Sequence, residues 1–365
     1  MSRKLTYDRY LFGSAMLIVI VGLVMIYSAS AIIAVQKLGD GNPYHFLVKQ
    51  CLFLMVGGAA MFVTMHLDLA LLKDRRVVYT LMAGICLALI FVLFQPPINN
   101  ARRWFVLPMF MVQPSELAKP IIILFLAWHL SQKEERINEL TSTLLPLVAI
   151  LAIPLGLILL QPDFGTAATI AFVAGCLLFV SGLAWKRIIG FSALVIPAAL
   201  AILLSADYRR ERLISFLNPA ADPEGSGWQA MQSLIALGTG GIDGLGVGNG
   251  RQKLFFLPEP HTDFIFSITG EELGFVGAIF LVLLFAFLAF RGARIAWNTD
   301  DRFIHYAALG FTLMIAIQAL INISVTLSLL PTKGIPLPLV SYGGSSLITS
   351  LMAVGALLNF SQHAR

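Results

Sequence analysis

The chain has 365 residues, of which 58% are hydrophobic and only 12% charged, with a net charge of +5. Soluble domains carry about 25% charged residues, so this chain lacks the polar surface a soluble protein needs. A nucleic-acid-binding module is excluded as well, because the basic residues sit mostly in short loops between apolar runs, the pattern of membrane orientation.

The hydropathy predicts an all-α polytopic membrane protein of about ten transmembrane helices, each run long enough to cross ~30 Å of hydrocarbon. The spans fall at about 10–34, 45–66, 77–95, 113–130, 142–160, 164–183, 188–205, 264–290, 303–327 and 343–360. The first, Tyr10 to Ala34, is too long for a signal peptide and lacks a cleavage site. The loops after even-numbered spans hold Lys73, Arg75 and Arg76, then Lys133 and Arg136, then Lys186 and Arg187, then Arg291, Arg294 and Arg302; the N-terminus adds Arg3, Lys4 and Arg9. Both termini are therefore expected in the cytoplasm. The whole of 1–365 reads as one membrane domain with a long extracytoplasmic loop at about 206–263. In that loop RRERLISFL and GWQAMQSLIALG are expected as short amphipathic or re-entrant helices. Cys51, Cys86 and Cys176 lie in apolar runs without paired spacing and read as packing residues.

Polar residues interrupt this pattern at few places. INNARRWF (98–105) puts Arg102 and Arg103 on the side otherwise poor in cations. The pair is either a surface loop or an anion site, since a guanidinium fork fits phosphate oxygens. Trp104 is an interfacial anchor or a platform for stacking a sugar. QPSELAKP (113–120) opens the fourth span with Glu116 and Lys119 on one helix face. A charge inside a span costs roughly 2.5–3.5 kcal/mol on insertion scales, so the pair is either functional or a structural ion pair. In QPDFGTA (161–167) Asp163 caps the next helix or helps to wall an outward cavity. The glycine cluster GTGGIDGLGVGNG (238–250) has neither the strand–helix context of a dinucleotide site nor the Gly-Lys-Ser/Thr of a P-loop, and reads as tight turns near the membrane surface.

PEPHTDFIFSITGEELGF begins at Pro258 and runs into the eighth span. Asp263 stands at its start as a cap or as a general base beside the arginines. On a continuous helix Glu271 lies within about 80° of Asp263 and Glu272 nearly opposite, which assigns the two glutamates different jobs. His261 diverges from Asp263 by about 200° on a helical turn, so the two are not expected to face one substrate atom. LPTKGIPLPLVSYGGSS (330–346) breaks the helix between two apolar spans, which is tolerated where backbone lines protein or a cavity. Lys333 is there a partner for an anionic lipid group or a plain loop lysine, and Ser341 is a supporting residue.

In order along the chain, NARRW, QPSELAK, QPDFGTA, GLGVGNG with QKLFFLPEPHTDFIF and GEELG, and LPTKG with SYGGSS resemble the SEDS family (shape, elongation, division and sporulation). The similarity spans essentially the whole chain, and the LPTKG and TGEELG forms look more like its division branch than its elongation branch. Asn100 stands where the family more often has glycine, and Gly250 where serine is common. The resemblance implies a peptidoglycan glycosyltransferase at the outer leaflet of the bacterial cytoplasmic membrane. Its substrate is lipid II, and its products are a β-1,4-linked glycan strand and undecaprenyl pyrophosphate. Its partners are a class B penicillin-binding protein and other division proteins of the membrane.

The family's essential aspartate falls on Asp263 through HTDFIF. On this reading Asp263 takes the proton from the acceptor hydroxyl. The leaving pyrophosphate is met by Arg102, Arg103, Lys119 or Lys333. Trp104, Glu116 and Asp163 help bind substrate, and His261, Glu271 and Ser341 support the site. No cofactor is demanded, though a divalent cation (Mg or Mn) could share the clamp. The rival class is a lipid II flippase, which accounts for Glu116, Lys119 and Glu271 well and for an outward Asp263 less well. A recruiting scaffold accounts for none of these charges.

Overall fold

A computed structural model describes residues 7–37, 41–98, 101–106, 111–204, 210, 216, 225, 227–332 and 334–364. In chain order the helices are α1 (Arg9–Lys37), α2 (His45–Met65), the short α3 (Leu69–Lys73), α4 (Arg75–Val92), α5 (Pro114–Lys133), α6 (Leu145–Leu160), α7 (Phe164–Val180), α8 (Trp185–Leu204), α9 (Trp228–Gly240), α10 (Ile265–Trp297), α11 (Arg302–Thr326) and α12 (Gly344–Ser361). A helix thus occupies each predicted span. Among the described residues seven helical segments are long and apolar enough to cross a membrane, and α7 is a shorter apolar helix. β1 (Phe105–Val106) and β2 (Met111–Val112) form a small antiparallel pair, with Phe105 opposite Val112. The segment GWQAMQSLIALG forms α9, whereas RRERLISFL lies almost wholly outside the described residues.

Capping starts the helices where short polar residues precede apolar runs. Asp74 accepts from Arg76 N, Asp163 from Thr166 N, and Asp301 from Phe303 N and Ile304 N, which satisfies donors that the first turn leaves open. The core is centred on α5, α11 and α12, where Phe125, Leu126, Phe311 and Phe360 are buried. At the periphery, α8 exposes Trp185, Ile189, Leu194 and Val195.

Glycine permits the close packing of α2 against α12. A Cβ on Gly355 would stand 2.3 Å from Met61 O, and one on Gly57 2.6 Å from Leu351 Cδ1. Small residues let backbones approach, and polar groups then bond across the seam. Thr64 Oγ1 donates to Met352 O (3.2 Å), and Asn359 Nδ2 donates to Thr64 O and Leu67 O (3.1 and 2.7 Å).

One end of the bundle gathers both described termini and the basic loops. Asp8 N donates to Ser361 Oγ at 3.0 Å, and Arg291 Nη2 donates to Asp8 Oδ2 at 2.5 Å. Lys73 pairs with Asp301, Arg302 Nε lies 3.1 Å from Glu134 Oε2, and Asn138 Nδ2 donates to Gly182 O at 3.0 Å. The loops that positive charge assigned to one side therefore do lie at one end.

One expectation fails at α10. The eighth span is not one straight helix: Gly274 adopts φ 66° and ψ −169° and breaks it. The glycine cluster forms the expected tight turns, with Gly241, Gly244, Gly246 and Gly248 at positive φ, and it bonds across the break. Leu245 N and Gly246 N donate to Glu271 O and Glu272 O (3.0 and 2.9 Å), and Phe275 N and Val276 N donate to Gly241 O and Ile242 O (2.9 and 3.2 Å). A break inside a span frees backbone groups, and here a loop satisfies them in place of water. Gly244, at φ 78°, has no room for a side chain, since its Cβ would lie 2.3 Å from Glu272 O. Glu271 and Glu272 stand on the helical turn just before the break, and both bond to the 248–253 segment that follows the glycine loop.

Candidate functional site

At the end of the bundle opposite the gathered termini, the turns before α5, α7 and α10 surround a cavity of about 730 Å³. Its lining includes Arg103, Trp104, Glu116, Lys119, Asp163 and Asp263. Six residues predicted from separate motifs thus share one wall.

The floor is polar and paired. Lys119 Nζ lies 2.7 Å from Glu116 Oε2, with both side chains 5% exposed, and donates to Gln318 Oε1 at 2.7 Å. Their i, i+3 spacing at the start of α5 brings them to one face. Asp163 plays both parts foreseen for it. Its Oδ1 caps α7 through Thr166 N (3.3 Å), and its Oδ2 accepts from Gln113 Nε2 and Ser115 Oγ, both at 3.1 Å.

The two arginines part company. Arg103 Nε and Nη2 donate to the carbonyls of Gln161 and Pro162 (2.8 and 2.5 Å), which ties the 101–104 segment to the turn before α7 and keeps the guanidinium at the cavity. Arg102 is exposed, donates to Leu93 O at 2.9 Å and is absent from the cavity wall. Of the two arginines only Arg103 lines the cavity.

Asp263 occupies the turn before α10 and is not its cap, which is Phe264. The chain around it is fixed by Asn322, which sequence reasoning did not single out, and by Ser341, which it named as a supporting residue. Asn322 Nδ2 donates to Asp263 O at 2.8 Å and to Ile335 O at 2.7 Å. Ser341 Oγ donates to Thr262 O at 2.5 Å and accepts from Leu337 N at 2.8 Å. Gln318 and Asn322 were visible as two amides four apart in an apolar span, where polar side chains are costly. His261 turns away into an aromatic cluster, 4.6 Å from Phe46 and 5.6 Å from Tyr342 between ring centroids. Lys333 lies outside the described residues.

Glu271 and Glu272 do not reach the cavity. Glu271 Oε1 accepts from Arg251 N and Gln252 N (2.7 and 3.2 Å). Glu272 accepts from Lys253 Nζ (2.6 Å), Gly248 N (3.0 Å) and Ser28 Oγ of α1. Lys253, which no local signal marks, is 2% exposed. Among the described residues no three His, Cys, Asp or Glu side chains group as a metal site requires.

A cavity lined by carboxylates, a guanidinium, an indole and a buried ion pair offers donors for an anionic ligand and carboxylates that can take a proton. The family model for cell cycle proteins of the FtsW, RodA and SpoVE type matches residues 8–365. A probable peptidoglycan glycosyltransferase FtsW from Geobacter metallireducens is 42% identical over 359 residues, covering 97% of this chain and 94% of that protein. Stage V sporulation protein E of Bacillus subtilis is 40% identical over 368 residues, covering 100% and 99%. A solved chain from a peptidoglycan synthase complex that coordinates polymerization and crosslinking superposes with a TM-score of 0.78 at 31% identity, with 97% of each chain covered. The rod shape determining protein RodA of Thermus thermophilus gives 0.71 at 29%, with 98% of each covered.

Proposed function

The chain belongs to the FtsW, RodA and SpoVE family of cell cycle proteins, and from that membership we propose the following reaction and site. The protein is a peptidoglycan glycosyltransferase of the FtsW type that polymerises lipid II in cell division. The 4-hydroxyl of the acceptor's terminal sugar attacks the anomeric carbon of the donor. The new C–O bond forms as the bond from that carbon to the pyrophosphate oxygen breaks, with inversion. The hydroxyl proton passes to the Asp263 carboxylate, and the electron pair leaves with undecaprenyl pyrophosphate. A carboxylate within reach of the hydroxyl contributes about 10²–10⁴ in rate.

The observation that carries this reading is the position of Asp263 on the wall shared with Arg103, Trp104, Glu116, Lys119 and Asp163. Arg103 offers its remaining guanidinium edge to the pyrophosphate, Trp104 stacks on a sugar, and Lys119 answers negative charge at the base. Lys333 is a further cation proposed for the pyrophosphate on its sequence motif alone. Arg102 is left out of the clamp because of its place outside the cavity wall. A divalent cation, where one takes part, would arrive with the pyrophosphate. The basic end of the bundle is cytoplasmic and the cavity opens toward the outer leaflet. A class B penicillin-binding protein, which cross-links the peptides, and other division proteins are the partners.

The test is polymer formation from lipid II in detergent by the protein purified with its transpeptidase partner. A flippase needs a sealed bilayer, so a glycan ladder in detergent separates the two classes. Asp263→Asn keeps size and lowers the initial rate by about 10²-fold or more, with folded yield unchanged by gel filtration. A near wild-type rate for Asp263→Asn would sink the general-base assignment.

A further inference from the structure

We propose that Gly334 and Asn322 are positioning residues for Asp263: Asn322 registers the 334–337 segment against the Asp263 turn, and Gly334 leaves the space in which the carboxylate sits. The idea rests on the general-base reading above and adds to it how the base is aimed.

Asn322 uses one amide nitrogen for two carbonyls, Asp263 O at 2.8 Å and Ile335 O at 2.7 Å, so the two backbones are held at one spacing. Ser341 joins the same two strands of chain from the other side, through Thr262 O and Leu337 N. Gln318, one turn before Asn322 on α11, donates to Pro336 O at 3.0 Å while accepting from Lys119. The polar stripe of α11 thus fixes the segment relative to both the base and the cavity floor.

The result at Gly334 is close. A Cβ there would stand 2.9 Å from Asp263 Oδ2 and 3.6 Å from its Cγ. Gly334 is not among the glycines of positive φ. Its backbone therefore suits alanine, and what the position requires is the missing side chain itself. A methyl group meets only the end of one short side chain, so relief comes from moving the carboxylate. Ordinary contact begins at 3.4 Å, which asks for a shift of about 0.5 Å, and misplacement by about 1 Å costs on the order of 10²-fold in rate.

The experiment compares Gly334→Ala, Gly334→Ser, Asn322→Ala and the Gly334→Ala/Asn322→Ala double variant, each with the partner transpeptidase and lipid II. Rates are normalised to folded protein, and thermal midpoints are recorded. We expect Gly334→Ala to lower kcat about tenfold, with KM within about twofold and the midpoint unchanged, and Gly334→Ser to lower it further. Asn322→Ala should also lower kcat. The double variant should lose less than the product of the two, because a released segment can admit the methyl group. Wild-type kcat in Gly334→Ala, or losses that track the folded fraction, overturns the proposal. Should Asn322→Ala fail to fold, the two glycine variants alone decide. A wild-type Gly334→Ala beside an inactive Asp263→Asn removes only the positioning role, whereas wild-type rates in both remove the general base.

Discussion

Among the described residues two carboxylate–ammonium pairs are buried, and one of them, Glu116–Lys119, lines the cavity. Glu116–Lys119 and Glu272–Lys253 have nearly the same separation, 2.7 and 2.6 Å, and both are almost inaccessible. Around Glu272 every neighbour is a fixed donor: the lysine, a backbone N–H of the glycine loop and the α1 serine. Around Glu116 and Lys119 the partners are the side chains of Gln318 and Thr349, and the pair also lines the cavity. Burial and pairing alone do not mark a functional ion pair. What distinguishes one is hydrogen-bonding capacity left facing a space that a ligand can enter.

Removing one lysine at a time tests that distinction most strongly. Lys253→Met leaves Glu272 charged and enclosed, and should cost about 3–5 kcal/mol, seen as a large drop in thermal midpoint in detergent. Lys119→Met should cost less than half as much, because Glu116 can draw water from the cavity. It should instead lower turnover per folded molecule by at least about tenfold. Equal stability losses with unchanged turnover in Lys119→Met would erase the contrast.

The arginines sharpen it next. Arg103→Ala should reduce polymerisation by about tenfold or more, while Arg102→Ala stays within about twofold. Arg103→Lys should recover only part, since an ammonium cannot replace the fork that spans two carbonyls. Equal effects would put both side chains at the substrate. His261→Ala should be milder still, costing about 0.5–1.5 kcal/mol of aromatic packing with little change in rate per folded protein; a loss rivalling that of Asp263→Asn would make His261 the base.

The smallest effect is expected from a third pair, Lys73–Asp301, at the polar end. Burial pushes the Asp301 carboxyl up, but the Lys73 ammonium together with the N–H groups of Ile304 and Phe303 outweigh it and hold the pKa below the usual carboxylate range. A depressed folded pKa gives stability that is present above the unfolded value, about 3.9, and is lost as pH falls through the folded value. The difference in midpoint between wild type and Asp301→Asn should be constant from pH 5 to 8, under about 1 kcal/mol, and shrink below about pH 4. A difference that grew on acidification would reverse the sign.

Much of the site was legible because its signals are local. Glu116 and Lys119 are one helical turn apart, and Asp163 follows a proline at a helix start, so short stretches of sequence locate each. The failures all concern contacts between distant segments. A glycine such as Gly274 inside an apolar run is common in spans, and nothing nearby announces that residues 241–246 will bond across it. Lys253 reads as an ordinary loop cation until Ser28 and Glu272 are brought to it. The choice between Arg102 and Arg103 depends on the carbonyls of Gln161 and Pro162, some sixty residues on.

The glycine seam between α2 and α12 also has a meaning in time. The second helix to be made finds its closest partner in the last. At about 5–20 residues per second, some 15–60 s separate the synthesis of Met65 from that of Ser361. Throughout that interval α2 stands in lipid with its small-residue face uncovered. A nascent chain stalled before Gly344 should therefore be recognised as unfinished by the membrane's proteases, whatever the state of the helices between.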